Sequence, residues 1–265
     1  MKKGILLAAT ILLSVAGFAQ AQEGVLSGTL EITFLSSHIW RGFDVYPNNH
    51  GAYQGSLDLD LYGTGFGVKL LSSRAFSKGF ENAEELDFTL YYGNNLFEGE
   101  AYSMDYTVGW VYYNYPDQPV RAAHMQEAFA SLSFPDACPF GIVPSYTIVC
   151  MWPAKSNSAV GPNGGWLHIM GLGYDWTVPG LMPEIPEQTL HLSLELVYND
   201  GAAPGSAPGL VVDHDWSHAV LGVSTEFDLA ENIAFIPALY HQQSMDSSVN
   251  VEDEWWLSLG LSYKF

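Results

Sequence analysis

Three stretches of the chain carry residue types that do chemistry. His191-Leu192-Ser193, with Glu195 beyond, sets an imidazole, a hydroxyl and a carboxylate at alternate positions, the set a nucleophilic hydrolase uses. Asp213-His214-Asp215-Trp216-Ser217-His218 presents two imidazoles at a His-x₃-His spacing among carboxylates, which can serve zinc or copper. Acidic residues also recur at every second position, in "SLDLDLY" with Asp58 and Asp60 and in "ELDFTLYY" with Glu85 and Asp87. Each has a plainer reading. His191 and Ser193 suit a polar strand face, and His214 and His218 sit beside a Gly/Pro-rich loop where charges are usually just solvated. We expect neither catalysis nor a cofactor, and no metal beyond a weak candidate at His214 and His218. Phosphate loops, CxxC pairs and dinucleotide fingerprints are missing from the chain.

The elements that hold these residues are strands. Side chains alternate across a strand, and the chain alternates almost throughout. Leu26, Leu30, Ile32 and Phe34 oppose Ser27, Thr29, Glu31 and Thr33; Trp255, Leu257, Leu259, Leu261, Tyr263 and Phe265 oppose Ser258, Gly260, Ser262 and Lys264. Glu31, Asp58, Asp60, Glu85, Asp87, Asp105, Glu127, Asp175, Glu195, Glu226, Asp228 and Glu254 all take the polar parity. Turn signals come in a short set and a longer, more polar set, and they separate twelve strands, within a range of roughly 10–14. The expected spans are 25–39, 51–62, 66–76, 84–93, 100–114, 125–134, 142–152, 165–177, 188–199, 217–229, 233–244 and 253–265. Pro144 and Pro237 fall inside two of them, where a ladder donor would be lost. Cys138 and Cys150 would lie roughly 35–40 Å apart if a strand separates them, too far to bridge.

Composition decides which solvent the apolar parity meets. The chain starts with Lys2 and Lys3, an apolar run from Gly4 to Ala16 and the small-residue site Ala19-Gln20-Ala21, which reads as a signal peptide over residues 1–21 cleaved after Ala21. Residues 22–265 then form one domain. Without the two lysines, seven basic residues face 29 acidic ones, a net charge of −22, which argues against nucleic acid as a partner. Yet only 14% of residues are charged and 48% are hydrophobic. No later stretch has the ~18 consecutive apolar residues of a membrane helix. An exported, apolar-rich chain without such helices leaves a closed barrel as the membrane option. Aromatic residues on the apolar parity near strand ends, among them Tyr92, Tyr102, Trp166, Trp176 and Trp255, favour it over a secreted sandwich, since they match interfacial girdles. The expected fold is all-β, a closed antiparallel transmembrane β-barrel. Tyr263 and Phe265, ending the terminal strand at its girdle, are the expected assembly signal.

Five segments also carry a family likeness. "SSHIWRGF" after the first strand, "YQGSLDLDLYGTGFGV", "ELDFTLYYG", and "MDYTVGWVYYNYP" followed by "QEAFASLSF" resemble, in that order, the TorF-type porins of bacterial outer membranes. The likeness spans about Leu26 to Phe134 plus the last strand. It implies a barrel of about twelve strands and a solute-channel role, and it supplies no catalytic residues. The expected function is thus an outer-membrane porin-like channel for small cationic or neutral solutes. Alternatives are a lipid-modifying barrel enzyme and a closed structural barrel whose outer loops bind a partner. Asp58, Asp60, Asp87, Asp105, Glu195 and Glu226 are the candidate lumen and selectivity residues. Arg41 belongs at the outer rim, either paired across the mouth or reaching to headgroups. The expected partners are outer-membrane lipid, the barrel-assembly machinery and small-molecule solutes.

Overall fold

In the computed structural model, residues 26–48, 50–155, 163–180 and 187–265 are described; the signal-peptide segment lies outside them. The strands in chain order are β1 (Ser27–Leu35), β2 (Ile39–Trp40), β3 (Phe43–Asp44), β4 (Ala52–Asp60), β5 (Phe66–Ala75), β6 (Glu85–Leu96), β7 (Met104–Asn114) and β8 (Met125–Ser133). They continue as β9 (Ile142–Pro153), β10 (Gly165–Pro179), β11 (Glu187–Asp200), β12 (His214–Ser224), β13 (Phe227–Ala230), β14 (Ile233–Ser244) and β15 (Glu254–Lys264). Twelve of them, all but β2, β3 and β13, form one antiparallel meander that closes on itself. β1 pairs with β4 on one side and with β15 on the other, from Thr29 opposite Lys264 to Leu35 opposite Ser258. Closure removes the open edge that lipid does not tolerate. The last residue joins the seam. Gly28 and Phe265 exchange both backbone hydrogen bonds, at 2.9 and 3.0 Å. A side chain at Gly28 would meet the Phe265 ring at 3.0 Å and the Asp58 carbonyl at 2.6 Å, so only glycine seats the terminal phenylalanine there.

The apolar parity faces outward. Ile32, Leu70, Leu90, Leu172, Leu221 and Leu261 are exposed around the wall. Aromatic rings gather at the strand ends, with Trp166, Trp216 and Trp255 at one end. At the other, Phe66 lies 4.8 Å from Tyr92 and Tyr92 lies 6.1 Å from Tyr106. The end bearing Ser27 and Lys264 carries compact connections such as 61–65, 97–103 and 134–141, here called the turn end. The opposite loop end carries 36–51, 76–84, 115–124, 201–213 and 245–253.

Three of the expected strands have other bounds. The one expected from residue 100 begins at Met104, because Glu100 and Ser103 donate to the Phe97 and Glu100 carbonyls within a turn. The other two differ for equally local reasons. The first, expected to run to residue 39, stops at Leu35. Ser36 makes the last contacts with β15, donating its backbone N–H to the Leu257 carbonyl at 2.9 Å and accepting the Leu257 N–H on its hydroxyl at 2.8 Å. The chain then leaves the wall, and "IWRGFD" folds as the separate hairpin β2–β3. The expected strand 217–229 is β12 and β13, broken at Thr225–Glu226. Pro237 of β14 faces that break. Its carbonyl accepts the Thr225 N–H at 3.2 Å, so the N–H that proline lacks would have pointed the same way, and pairing lapses where the donor is missing. Gln188 fills the gap by donating to the Thr225 hydroxyl and to the Glu226 carbonyl. Pro144 is harmless for a related reason. Its carbonyl points toward Phe134 of the β8–β9 turn, at 3.0 Å, one residue beyond the last β8 pair.

Candidate functional site: the lumen and its in-turned hairpin

The hairpin is built by two residues at its tip. Arg41 and Gly42 have φ of 48° and 94°, the two positive values that a two-residue type I′ turn requires. Glycine meets this freely, and a Cβ at Gly42 would also lie 2.5 Å from His218 Nδ1 and 2.8 Å from Val249. Arginine in this region is strained, and such strain persists only when surrounding contacts over-determine it. They do. Both terminal nitrogens of Arg41 donate to Glu127 on β8, at 2.7 and 2.8 Å. Its guanidinium carbon lies 4.8 Å from the Trp40 ring. On the other side, Gln242 of β14 donates to the Gly42 carbonyl at 2.9 Å. The hairpin is thus pinned to β8 and to β14 and bridges the lumen.

Apolar packing fills the space beside it. Val111, Tyr113, Met125, Val149, Met151, Leu167 and Val197, inward residues of β7 to β11, form a buried cluster against Trp40. The Trp40 ring meets Tyr113 edge-on at 5.8 Å. Phe43 continues the packing into the loops with Ala203, Val212 and Val249. Burying a side chain of Leu or Met size is worth about 1.5–3 kcal/mol, so this cluster helps offset the cost of desolvating the charges beside it.

Those charges are unequal in number. Glu85, Asp87 and Glu127 are all buried near the single guanidinium of Arg41. Tyr113 donates a second hydrogen bond to Glu127, at 2.6 Å, while one Asp87 oxygen is buried without a hydrogen-bond partner. Burial opposes the Arg41 charge, but Tyr113, Glu127 and Asp87 outweigh it and hold the guanidinium more firmly protonated than usual. Above the hairpin, His38 packs 5.3 Å from Tyr46 with both ring nitrogens buried and unpartnered. Burial alone pushes its pKa down to about 4.

The residues singled out in sequence divide between the two ends. Asp87 belongs to the buried loop-end cluster with Arg41, whose side chain turns into the barrel and not to a headgroup. Asp58 accepts a hydrogen bond from Tyr91 at 2.7 Å on the lumen wall, and Glu195 lines the space beneath the hairpin. Asp60 caps the β4–β5 turn at the Gly63 N–H, and Asp105 accepts from Asn95 at 2.7 Å. Glu226 lies 3.4 Å from Lys264 at the turn end. Tyr263 and Phe265 stack at 6.0 Å beside the seam. His191 and Ser193 share the lumen face, but the imidazole pairs with Asp175 at 2.7 Å. His214 turns to Asp200, and His218 to the Ser217 hydroxyl at 2.8 Å. Four residues of strand separate the two imidazoles by about 13 Å, and among the described residues no group of three His, Cys, Asp or Glu converges as a metal site. Cys138, in the β8–β9 turn, and Cys150, high on β9, are free thiols. Sequence reasoning leaves Glu127, Tyr113, Gln242 and His38 out of the candidate residues. The inward parity of Glu127 is visible in the sequence, but its partner Arg41 is 86 residues away, and no local pattern announces that contact.

No family model matches the sequence and no curated protein matches it, so the TorF-type likeness rests on its quoted segments alone. Comparison of the fold with solved structures does return outer-membrane barrels. The crystal structure of a NanC porin matches with a TM-score of 0.52 at 10% identity, covering 90% of this chain and all of that one. An outer-membrane channel from Pseudomonas putida F1 matches with a TM-score of 0.51 at 10% identity, covering 92% and 97%. The chain therefore has the fold of the twelve-stranded, closed antiparallel outer-membrane β-barrels.

Proposed function

We propose that this protein is an outer-membrane channel passing small cationic or neutral solutes, with the β2–β3 hairpin as its constriction. The loop end then faces outward and the turn end the periplasm, as in outer-membrane barrels generally. One observation carries the reading. On the lumen wall below the hairpin, Asp58, Asp60, Asp105, Asp175, Glu195 and Glu226 take the inward parity, against Lys69 and Lys264 as the basic residues there among the described residues. A low-dielectric wall with such an excess concentrates cations and repels anions. The fold likeness to a porin and a channel supports the channel part of this reading.

Reversal potentials across a salt gradient in a planar bilayer test it. The wild type is expected to favour cations, more so at low salt where screening is weak. Asn at Asp58, Asp60 and Asp105 together should reduce the preference while the barrel stays heat-modifiable. Anion preference, or no current at all, sinks the reading. The closed-barrel alternative draws on a specific observation as well, the apolar cluster that fills the loop end. It would leave the bilayer silent even after the hairpin is released by Arg41→Ala.

A further inference from the structure

Beneath the hairpin tip, between Arg41–Gly42 and strands β10 to β12, β14 and β15, lies a cavity of about 180 Å³. A dry cavity of ~150 Å³ accepts a six-carbon ring, so this one suits a molecule of about 5–8 non-hydrogen atoms. Three features of its lining point to one chemistry. Glu195 lines it as an exposed carboxylate, solvated and with no hydrogen bond from any described residue. Arg41, which lines the same cavity, has both terminal nitrogens committed to Glu127. Gln242 is fully buried, and with its Nε2 on the Gly42 carbonyl its Oε1 is left as an acceptor without a donor. Tyr240 and Trp256, stacked 5.1 Å apart at 18°, supply aromatic surface.

A solvated carboxylate without a protein partner and two electron-rich rings call for the same partner, and the donorless Gln242 carbonyl lies beside them. A primary ammonium carries three donors and no acceptor, pairs with a carboxylate and is attracted to aromatic rings. Ile169, Val197 and Val220 complete the lining with apolar surface. We propose that this cavity is a binding subsite for a small organic cation, an ammonium or guanidinium group on a short apolar chain. An anion is disfavoured, because Arg41 is already matched and Glu195 would repel it. The subsite deepens the channel reading and rests on it for its role, as the place where a permeating cation pauses under the constriction.

Isothermal titration of the full chain, folded in zwitterionic detergent at neutral pH and low salt, tests this with n-butylammonium as probe. Butyrate and 1-butanol are the shape-matched controls. Saturable one-site uptake of butylammonium is expected, at least tenfold tighter than 1-butanol, with no uptake of butyrate. Glu195→Gln should weaken butylammonium at least tenfold, while Asp136→Asn, in the exposed β8–β9 turn, leaves it unchanged. If Glu195→Gln fails to fold, Trp256→Leu carries the question, with a several-fold loss expected. Wild-type affinity in these variants, preference for butyrate, or no saturable uptake would overturn the proposal. The readout needs no current. A barrel that conducts without binding sinks the subsite alone, and one that binds without conducting sinks the channel reading alone.

Discussion

The two halves of this lumen use the same residue type for opposite purposes. At the loop end, Glu127 is about 2% exposed and is held by Arg41 and Tyr113. At the turn end, Asp175 and Glu226 keep their exposure, with His191 and Lys264 beside them. A charge removed from water must be matched by partners, so the buried carboxylate fastens a structural element. A solvated one keeps its water, costs little and remains available to a solute. The difference teaches that the acid count of the lumen is not its electrostatic content. Part of that count is consumed in pinning the hairpin, and only the remainder faces solvent.

Breaking the buried half should have the largest effect. Arg41→Ala leaves Glu127 buried and unpaired, and such a loss costs about 3–5 kcal/mol. Denaturant unfolding of the detergent-folded barrel should read that destabilisation, and adding Glu127→Gln should recover much of it, a coupling expected of contacting partners. Equal stability of wild type and Arg41→Ala would mean the ion pair does not hold the hairpin.

The next effect is pH-dependent. Unfolded His38 takes up its proton as the pH falls through 6.5, whereas the folded side chain does so only near 4. In that window the unfolded state binds more protons, so stability is present above 6.5 and is lost as the pH falls toward 4. The gap corresponds to about 3 kcal/mol. Carboxylate titrations are shared with a His38→Phe variant, so the difference in melting temperature between the two proteins isolates His38. A constant difference from pH 7 to pH 4 would show that the imidazole is not buried.

A smaller loss, about 1–3 kcal/mol, is expected for Gly42→Ala, from its positive φ and the close approach of His218. Glu226→Gln should be the smallest, below about 1 kcal/mol, since the pair with Lys264 is exposed. If Glu226→Gln matched Arg41→Ala in unfolding experiments, the contrast between the halves would collapse.

Much of the wall is legible in the residues themselves. The expected spans 51–62, 66–76 and 233–244 correspond to β4, β5 and β14 at 52–60, 66–75 and 233–244. Alternation is a local property, and a wall with lipid on one face and a polar interior on the other imposes it on every strand. The hairpin is not legible in this way, because "SSHIWRGF" reads equally well as the end of a strand and the start of a loop. Its direction depends on what waits inside. Likewise Pro237 stands out within its strand, but which neighbour it deprives depends on which way its backbone faces, and that is settled only by register.

From the residues alone follow the strand count, the inward parity of the carboxylates and the terminal strand ending at Phe265, because each rests on a period of two and on the cost of charge in lipid. Only the tertiary structure decided that Arg41 turns inward to Glu127, that Gln242 holds Gly42 from the opposite wall, and that Glu195 lines the cavity beneath the hairpin. Those contacts join residues 86 and 200 positions apart. Barrel closure brings such distant residues together, and no local periodicity encodes which of them will meet.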